Sequence, residues 1–245
     1  MNDIDFNNKM KWLLKYDRNH LKYNCTDKLL LKEYIYNKLG SGYTPKTYVI
    51  SNSTKELINT IKIKKNHPEN FFIKSNNDSG GVIFCNINEI DNKNLSVVEK
   101  YKHKPYGILS NEWFYEDIKF KCFTEEILGY HLVDYKFHCV YGEPRFCQVI
   151  KDRNTTTNEI CVDINGNILD FEFDTFFKRS NNFIKPKNWV TMVDIAKVLS
   201  TDFNYVRVDM YNCNGIFVGE LTFSPRAGMY FGSGQIKAGG LLKLL

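Results

Sequence analysis

Val206-Arg207-Val208-Asp209-Met210-Tyr211-Asn212-Cys213-Asn214-Gly215-Ile216-Phe217-Val218-Gly219-Glu220-Leu221-Thr222-Phe223 reads as two strands joined at Asn214-Gly215, the dipeptide favoured in two-residue type I′ turns. Closing the hairpin there sets Asp209 opposite Glu220 and Arg207 opposite Thr222. Period-2 alternation sends those four side chains to one face. Val206, Val208, Met210, Leu221 and Phe223 fall on the other face and read as core. Two carboxylates about 5 Å apart repel unless a cation or an arginine neutralises them. Hard oxygen ligands suit magnesium, which takes one or two carboxylates together with phosphate oxygens. The competing reading is an exposed polar face with an incidental Arg–Glu pair. On either reading the two acids face solvent or metal and not the core.

Upstream, Phe72-Ile73-Lys74-Ser75-Asn76-Asn77-Asp78-Ser79-Gly80-Gly81-Val82 is a strand ending in a lysine, a polar loop with two glycines, and a second strand. The loop's N–H groups suit phosphate oxygens, with the lysine adding charge; a plain hairpin loop reads equally well. The GxxxxGK[ST] spacing of a P-loop is absent. Phe123-Thr124-Glu125-Glu126-Ile127-Leu128 is a strand end bearing two acids, suited either to adenine and ribose contacts or to simple exposure.

Helical patterns cover Phe6 to Tyr16, Thr26 to Leu39, Thr54 to Ile63 (with Ser53 and Glu56 as a capping box) and Trp189 to Leu199. Further strands are expected at Tyr48 to Ile50, Val82 to Cys85, Tyr135 to Val140, Arg145 to Ile150 and Ile160 to Ile164, and a short helix at Gly239 to Leu245. Blocks of strands and helices without strict βαβ alternation indicate an α+β fold.

The 245 residues are 43% hydrophobic and 15% aromatic, a globular composition. No apolar run reaches the length of a membrane span, and Met1-Asn2-Asp3-Ile4-Asp5 lacks the charged and apolar regions of a signal peptide. Seven cysteines without a CxxC read as buried thiols in a reducing cytoplasm. The five histidines offer no short-spaced zinc ligands. A net charge of +5, spread from 33 basic and 28 acidic residues, lacks the blocks typical of nucleic-acid binders and suits handling of anions.

Taken in order, Asp27-Lys28, Ile73-Lys74 with Ser79-Gly80-Gly81, Glu125-Glu126-Ile127-Leu128, Asp134-Tyr135-Lys136-Phe137, Tyr141-Gly142-Glu143-Pro144, Asp152-Arg153, Val206-Arg207-Val208-Asp209 and Gly219-Glu220-Leu221-Thr222-Phe223 resemble the TupA-like ATP-grasp family of bacterial polysaccharide biosynthesis. Phe6-Asn7 through Tyr16-Asp17-Arg18-Asn19 resembles that family's start, so the likeness covers nearly the whole chain. It implies an ATP-grasp fold of two α+β lobes whose antiparallel sheets grip the nucleotide. Residues 1–52 would be a helical and short-strand segment, 53–128 the small lobe with the glycine loop, and 129–245 the large lobe with the metal hairpin.

The resemblance also implies roles. Lys28 and Lys74 would bind phosphates beneath Ser79, Gly80 and Gly81. Glu125, Glu126, Ile127 and Leu128 would hold adenine and ribose, and Lys136 would add a nucleotide contact. Asp209 and Glu220 would hold magnesium, with manganese as an alternative ion. Thr222 stands where ATP-grasp enzymes generally carry a metal-binding Asn. Arg207 and Arg153 would stabilise negative charge during transfer. Asn77-Asp78 departs from an expected His-Gly, and Arg226 replaces a small residue as an acceptor-site cation.

The implied activity is a cytoplasmic carboxylate–amine ligase. It would work through an acyl phosphate and join an amino acid or amine to a sugar acid for capsule or O-antigen, in loose association with membrane-bound machinery and without nucleic acid. A kinase on the same fold, a polysaccharide glycosyltransferase and a catalytically silent nucleotide-binding module are the alternatives.

Overall fold

The computed structural model describes residues 5–90, 93–152 and 156–244. The helices are α1 (Phe6–Tyr16), α2 (Leu21–Thr26), α3 (Leu30–Leu39), α4 (Thr54–Ile63), α5 (Ser96–Glu99), α6 (Trp189–Ser200) and α7 (Gly234–Leu241). The strands are β1 (Thr47–Ser51), β2 (Asn70–Ser75), β3 (Val82–Asn86), β4 (Cys122–Glu125), β5 (Asp134–Val140), β6 (Glu143–Lys151), β7 (Asn158–Val162), β8 (Lys178–Arg179), β9 (Tyr205–Asn212) and β10 (Ile216–Thr222). By contact they form two compact units. One comprises His20–Tyr34 and Thr44–Tyr130; the other comprises the residues up to Asn19, Ile35–Tyr43 and those from His131 onward. Residues 1–52 are thus divided between both units.

The first unit is built on an antiparallel sheet of order β1-β4-β2-β3. α4 packs on β1 and β4, burying Leu57 and Ile61 with Phe71, Ile73 and Cys122. Ser53 Oγ accepts the Glu56 N–H at 3.2 Å, while the Glu56 carboxylate takes the Ser51 hydroxyl at 2.6 Å, so only half of a capping box forms. The helix expected from Thr26 to Leu39 begins only at Leu30, and Thr26 is instead the last residue of α2. Asp27 Oδ1 accepts the N–H groups of Leu29 and Leu30 at 2.8 and 3.3 Å, competing locally with helix continuation.

The second unit holds a six-stranded sheet of order β10-β9-β5-β6-β7-β8. It is antiparallel except for β7 and β8, which pair in parallel after a long excursion. One face carries Tyr135 and Phe137 against Trp189 of α6, ring centroids 6.3 and 5.2 Å apart. On the other, Phe6, Met10 and Leu13, spaced for one side of α1, pack with Phe146, Phe173, Tyr205 and Tyr230. α1 is capped by the Asp5 carboxylate, which accepts the Asn8 N–H at 2.8 Å. α7 begins earlier than the tail pattern suggests. Gly239 lies so close to α1 that a Cβ would sit 2.6 Å from the Phe6 nitrogen, and Leu242 and Leu244 fill the core beyond the helix end.

The β9–β10 hairpin reaches the expected pairing by another route. Asn212 pairs with Ile216 and Met210 with Val218; a one-residue shift follows, after which Asp209 faces Glu220 and Arg207 faces Thr222. The turn is one residue longer than a two-residue loop, with Asn214 and Gly215 both at positive φ, and a bulge at Gly219 restores the phase. A Cβ there would meet the Tyr211 ring at 2.7 Å.

A candidate nucleotide and metal site

In the second unit, alternation along β5, β9 and β10 gathers Lys136, Arg207, Asp209, Glu220 and Thr222. Asp209, expected to face solvent or metal, is only 3% exposed. Arg207 Nε donates to its Oδ1 at 2.6 Å and Nη2 to its Oδ2 at 2.7 Å, a bidentate grip, and Lys136 Nζ also donates to Oδ2. Arg207 and Lys136 close over the carboxylate from the same face, and further along that face His138 and Tyr205 pack against Phe6 of α1. Burial opposes ionisation, but Arg207 and then Lys136 outweigh it and hold the Asp209 carboxyl down at about 2. Burial likewise disfavours the Arg207 charge, and Asp209 more than compensates, raising its pKa further. Arg207 Nη2 also donates to Thr222 Oγ1 at 3.0 Å. Glu220 is half-buried and makes a further electrostatic contribution to Arg207.

Asp134 lies 3.8 Å from Lys136, two residues along the same strand face; the sequence motif contains it but assigns it no role. Beyond Lys136 the face turns inward. His138 stacks on Phe146 at 4.2 Å and its Nδ1 lies 2.9 Å from the Tyr205 hydroxyl. Burial and then Arg207 hold its pKa well below the usual range, so it is neutral. Arg226 pairs with the buried Asp174 and lies over the Phe176 and Tyr230 rings, its backbone left-handed at φ 49°. Arg153 lies outside the described residues.

In the first unit, Lys74 and Glu125 are brought together, and Lys32 joins them. Glu125 is 4% exposed; Lys74 Nζ donates to Oε2 and Lys32 Nζ to Oε1 at 2.7 Å. Burial would raise the Glu125 pKa, but Lys74 and Lys32 together bring it below the ordinary carboxylate range. Lys32 completes its three donors on Pro45 O and Thr47 Oγ1, at 2.6 and 2.7 Å. Burial lowers the Lys32 pKa, with Glu125 opposing.

Lys28 donates to the carbonyls of Ser75 and Asp78 and lies 3.3 Å from Asp78 Oδ1. Asp78 turns inward at 3% exposure, where its Oδ1 accepts the Gly81 N–H at 3.0 Å and pairs with Lys28. Gly81 is obligatory, because a Cβ would fall 1.9 Å from Ser75 Oγ. Ser79 and Gly80 form the exposed tip, and Glu126, Ile127 and Leu128 continue from β4 as extended, half-buried chain. Lys46 N donates to Glu126 Oε1 at 2.8 Å.

The profile of the TupA-like ATPgrasp family matches residues 8–236. The chain belongs to that family. Among solved structures, this TupA-like protein is similar to D-alanine–D-alanine ligase from Helicobacter pylori, with a TM-score of 0.52 and 15% identity over 90% of this chain and 58% of that one. It is also similar to VanG D-Ala:D-Ser ligase from Enterococcus faecalis, with a TM-score of 0.50 and 16% identity over 90% and 60%. These likenesses show the α+β ATP-grasp fold, and the chain spans about three fifths of the length of either ligase. No curated protein matches it. Among the described residues no helix is long and apolar enough to cross a membrane, and the seven cysteines are free thiols.

Magnesium, which the family implies, can be tested against the donor set. Asp209 and Glu220 face each other and would supply the one or two carboxylates that magnesium takes beside phosphate oxygens, once Arg207 and Lys136 give up the Asp209 oxygens they hold. Among the described residues no three His, Cys, Asp or Glu side chains gather as a ligand set. The donors fit an ion shared with a phosphate ligand and not one caged by protein alone.

Proposed function

We propose that this TupA-like protein is a magnesium- and ATP-dependent carboxylate–amine ligase. It would act through an acyl phosphate to attach an amino acid or amine to a sugar acid in the cytoplasmic stage of surface-polysaccharide synthesis. The observation that carries the reading is the Arg207–Asp209–Lys136 cluster paired across β9 and β10 with Glu220 and Thr222. Three acids (Asp134, Asp209 and Glu220) and two bases (Lys136 and Arg207) gather here, a formal charge of −1, so a polyanion would bind together with a cation. Nucleotide phosphates would draw Lys136 and Arg207 away from Asp209 and free that carboxylate for the ion. Bound magnesium would spread the phosphate charge.

In this reading Lys28 and Lys74 bind phosphates under the Ser79-Gly80-Gly81 tip. Lys74 can leave Glu125 because Lys32 keeps that carboxylate paired. Glu126, Ile127 and Leu128 offer extended backbone to adenine, with Glu126 the acid nearer the ribose hydroxyls. Arg207, and Arg153 with it, stabilises charge on the transferring group, and manganese substitutes for magnesium. The remaining activity is positioning. A screen of amino acids and sugar acids for stimulated release of ADP and phosphate, with mass analysis of the product, tests this. An amide-linked product supports it. ADP release with a single organic substrate that ends phosphorylated overturns it in favour of a kinase.

A further inference from the structure

Two lysines of the first unit share the Glu125 carboxylate, and they are held differently. Lys32 of α3 places all three of its N–H donors inside the protein. They go to Pro45 O at 2.6 Å, Thr47 Oγ1 at 2.7 Å and Glu125 Oε1 at 2.7 Å, so none is left for a ligand. Its Nζ also lies 5.7 Å from the centre of the Phe123 ring. Lys74 of β2, among the described residues, donates to Glu125 Oε2 alone, which leaves two donors open. Its side chain is 26% exposed, against 19% for Lys32 and 5% for Glu125. Lys32 is therefore a fixed cation and Lys74 a movable one. Stripping a buried carboxylate of its last cation is strongly unfavourable, so the freedom of Lys74 depends on Lys32 staying in place.

We propose that Lys32 is a positioning residue for nucleotide binding: it retains the Glu125 carboxylate so that Lys74 can turn to a phosphate. Lys32 itself touches no phosphate. Glu125 competes with phosphate for Lys74, and Lys32 weakens that competition by sharing the negative charge. With Lys32 present, moving Lys74 from Glu125 to a phosphate leaves one cation on the carboxylate. Without Lys32 the same movement strands a buried anion, and Lys74 stays on Glu125. Removing Lys32 also removes a positive charge from the neighbourhood, but that effect does not depend on Glu125. Dependence on Glu125 is the mark of positioning. The inference rests on the reading that Lys74 binds phosphate and deepens it by naming the group that releases Lys74.

The test is a double-mutant cycle on the full chain, read by titration with a non-hydrolysable ATP analogue and magnesium. Lys32→Met should weaken the analogue at least about tenfold, because Lys74 can then leave Glu125 only by stranding it. In a Glu125→Gln background the same replacement should change affinity by less than about threefold, since no carboxylate remains to hold Lys74. A purely structural tie between α3 and β1 would not give this dependence on Glu125. Lys32→Met keeps Lys74 on Glu125 and sets an apolar stem beside Phe123, which favours folding. Should that variant fail to fold, comparing Glu125→Gln with the double variant still decides. A loss of about tenfold that persists in the Glu125→Gln background makes Lys32 a phosphate contact or a scaffold, and overturns the proposal. Unchanged affinity in Lys32→Met overturns it as well. Lys74→Ala separates the two levels. Unchanged affinity in that variant removes the phosphate role of Lys74 itself. Weakened binding in Lys74→Ala with none in Lys32→Met keeps that role and sinks only the positioning by Lys32.

Discussion

Replacing Asp209 by Asn should destabilise the protein in a pH-dependent way, and the size follows from the geometry. The native carboxyl is held at about 2 against an ordinary 3.8, a difference of about 2 kcal/mol at 1.36 kcal/mol per pKa unit. The group is almost wholly buried, so solvent screening does not erode this. Breaking a buried pair leaves Arg207 and Lys136 uncompensated, which costs about 3–5 kcal/mol in other proteins. A loss of about 2–4 kcal/mol is expected, lowering Tm by roughly 4–15 °C at this chain length.

The sign is fixed by linkage. A depressed carboxyl pKa contributes stability that is full above about 3.8 and lost as pH falls through about 2. Thermal unfolding of wild type and Asp209→Asn between pH 7 and pH 2 should show a gap that is constant at neutral pH and closes in acid. A variant as stable as wild type at pH 7, or a gap undiminished at pH 2, would refute the argument. The reading that this acid lies outside the core would then return.

Glu220→Gln, at a half-buried position opposite Asp209, should leave Tm within about 1–2 °C yet cut ADP release by about 10² or more; full turnover removes Glu220 from the site. Lys74→Ala should weaken nucleotide binding while sparing stability, because Lys32 still neutralises Glu125; unchanged affinity by fluorescence titration speaks against the phosphate role. Gly81→Ala should lower both stability and nucleotide affinity, since its methyl would collide with Ser75 Oγ and the Asp78 carboxylate; a variant with wild-type urea midpoint shows that the loop packs otherwise. Magnesium alone should give no saturable calorimetric binding and should bind once a non-hydrolysable ATP analogue is present, because Asp209 is already doubly ion-paired. Tight binding of the metal alone contradicts that.

The sequence made α1 and α4 readable to the residue, because Asp5 and Ser53 cap runs with a clear apolar stripe. It also paired Asp209 with Glu220, although the two-residue turn it used does not form: the three-residue loop and the bulge at Gly219 offset each other. What it missed depends on contacts distant in the chain. Phe6 packing on Tyr205 and His138 cannot be read from the periodicity of β9. Lys32 joining Glu125 spans 93 positions. α7 carries glycines at 234 and 239 whose cause is the neighbouring backbones of Glu172 and Phe6, and glycines weaken any helical pattern. The bulge at Gly219 has a faint signature in hindsight. Val218 and Leu221, both buried, stand three residues apart where their partners Met210 and Val208 stand two apart.

That extra residue works as a phase shifter. Upstream of it β10 presents Val218 inward, downstream Leu221, and Glu220 stays on the outer side only because one position has been spent turning the chain. Removing Gly219 would leave Val218, Glu220 and Leu221 in plain alternation with the carboxylate still on the outer side, whereas straightening the strand with Gly219 retained would turn Glu220 to the side of Val218. The kink thereby ties the placing of the carboxylate to the seating of Val218 and Leu221, since losing the kink while keeping the residue would turn everything downstream to the wrong side.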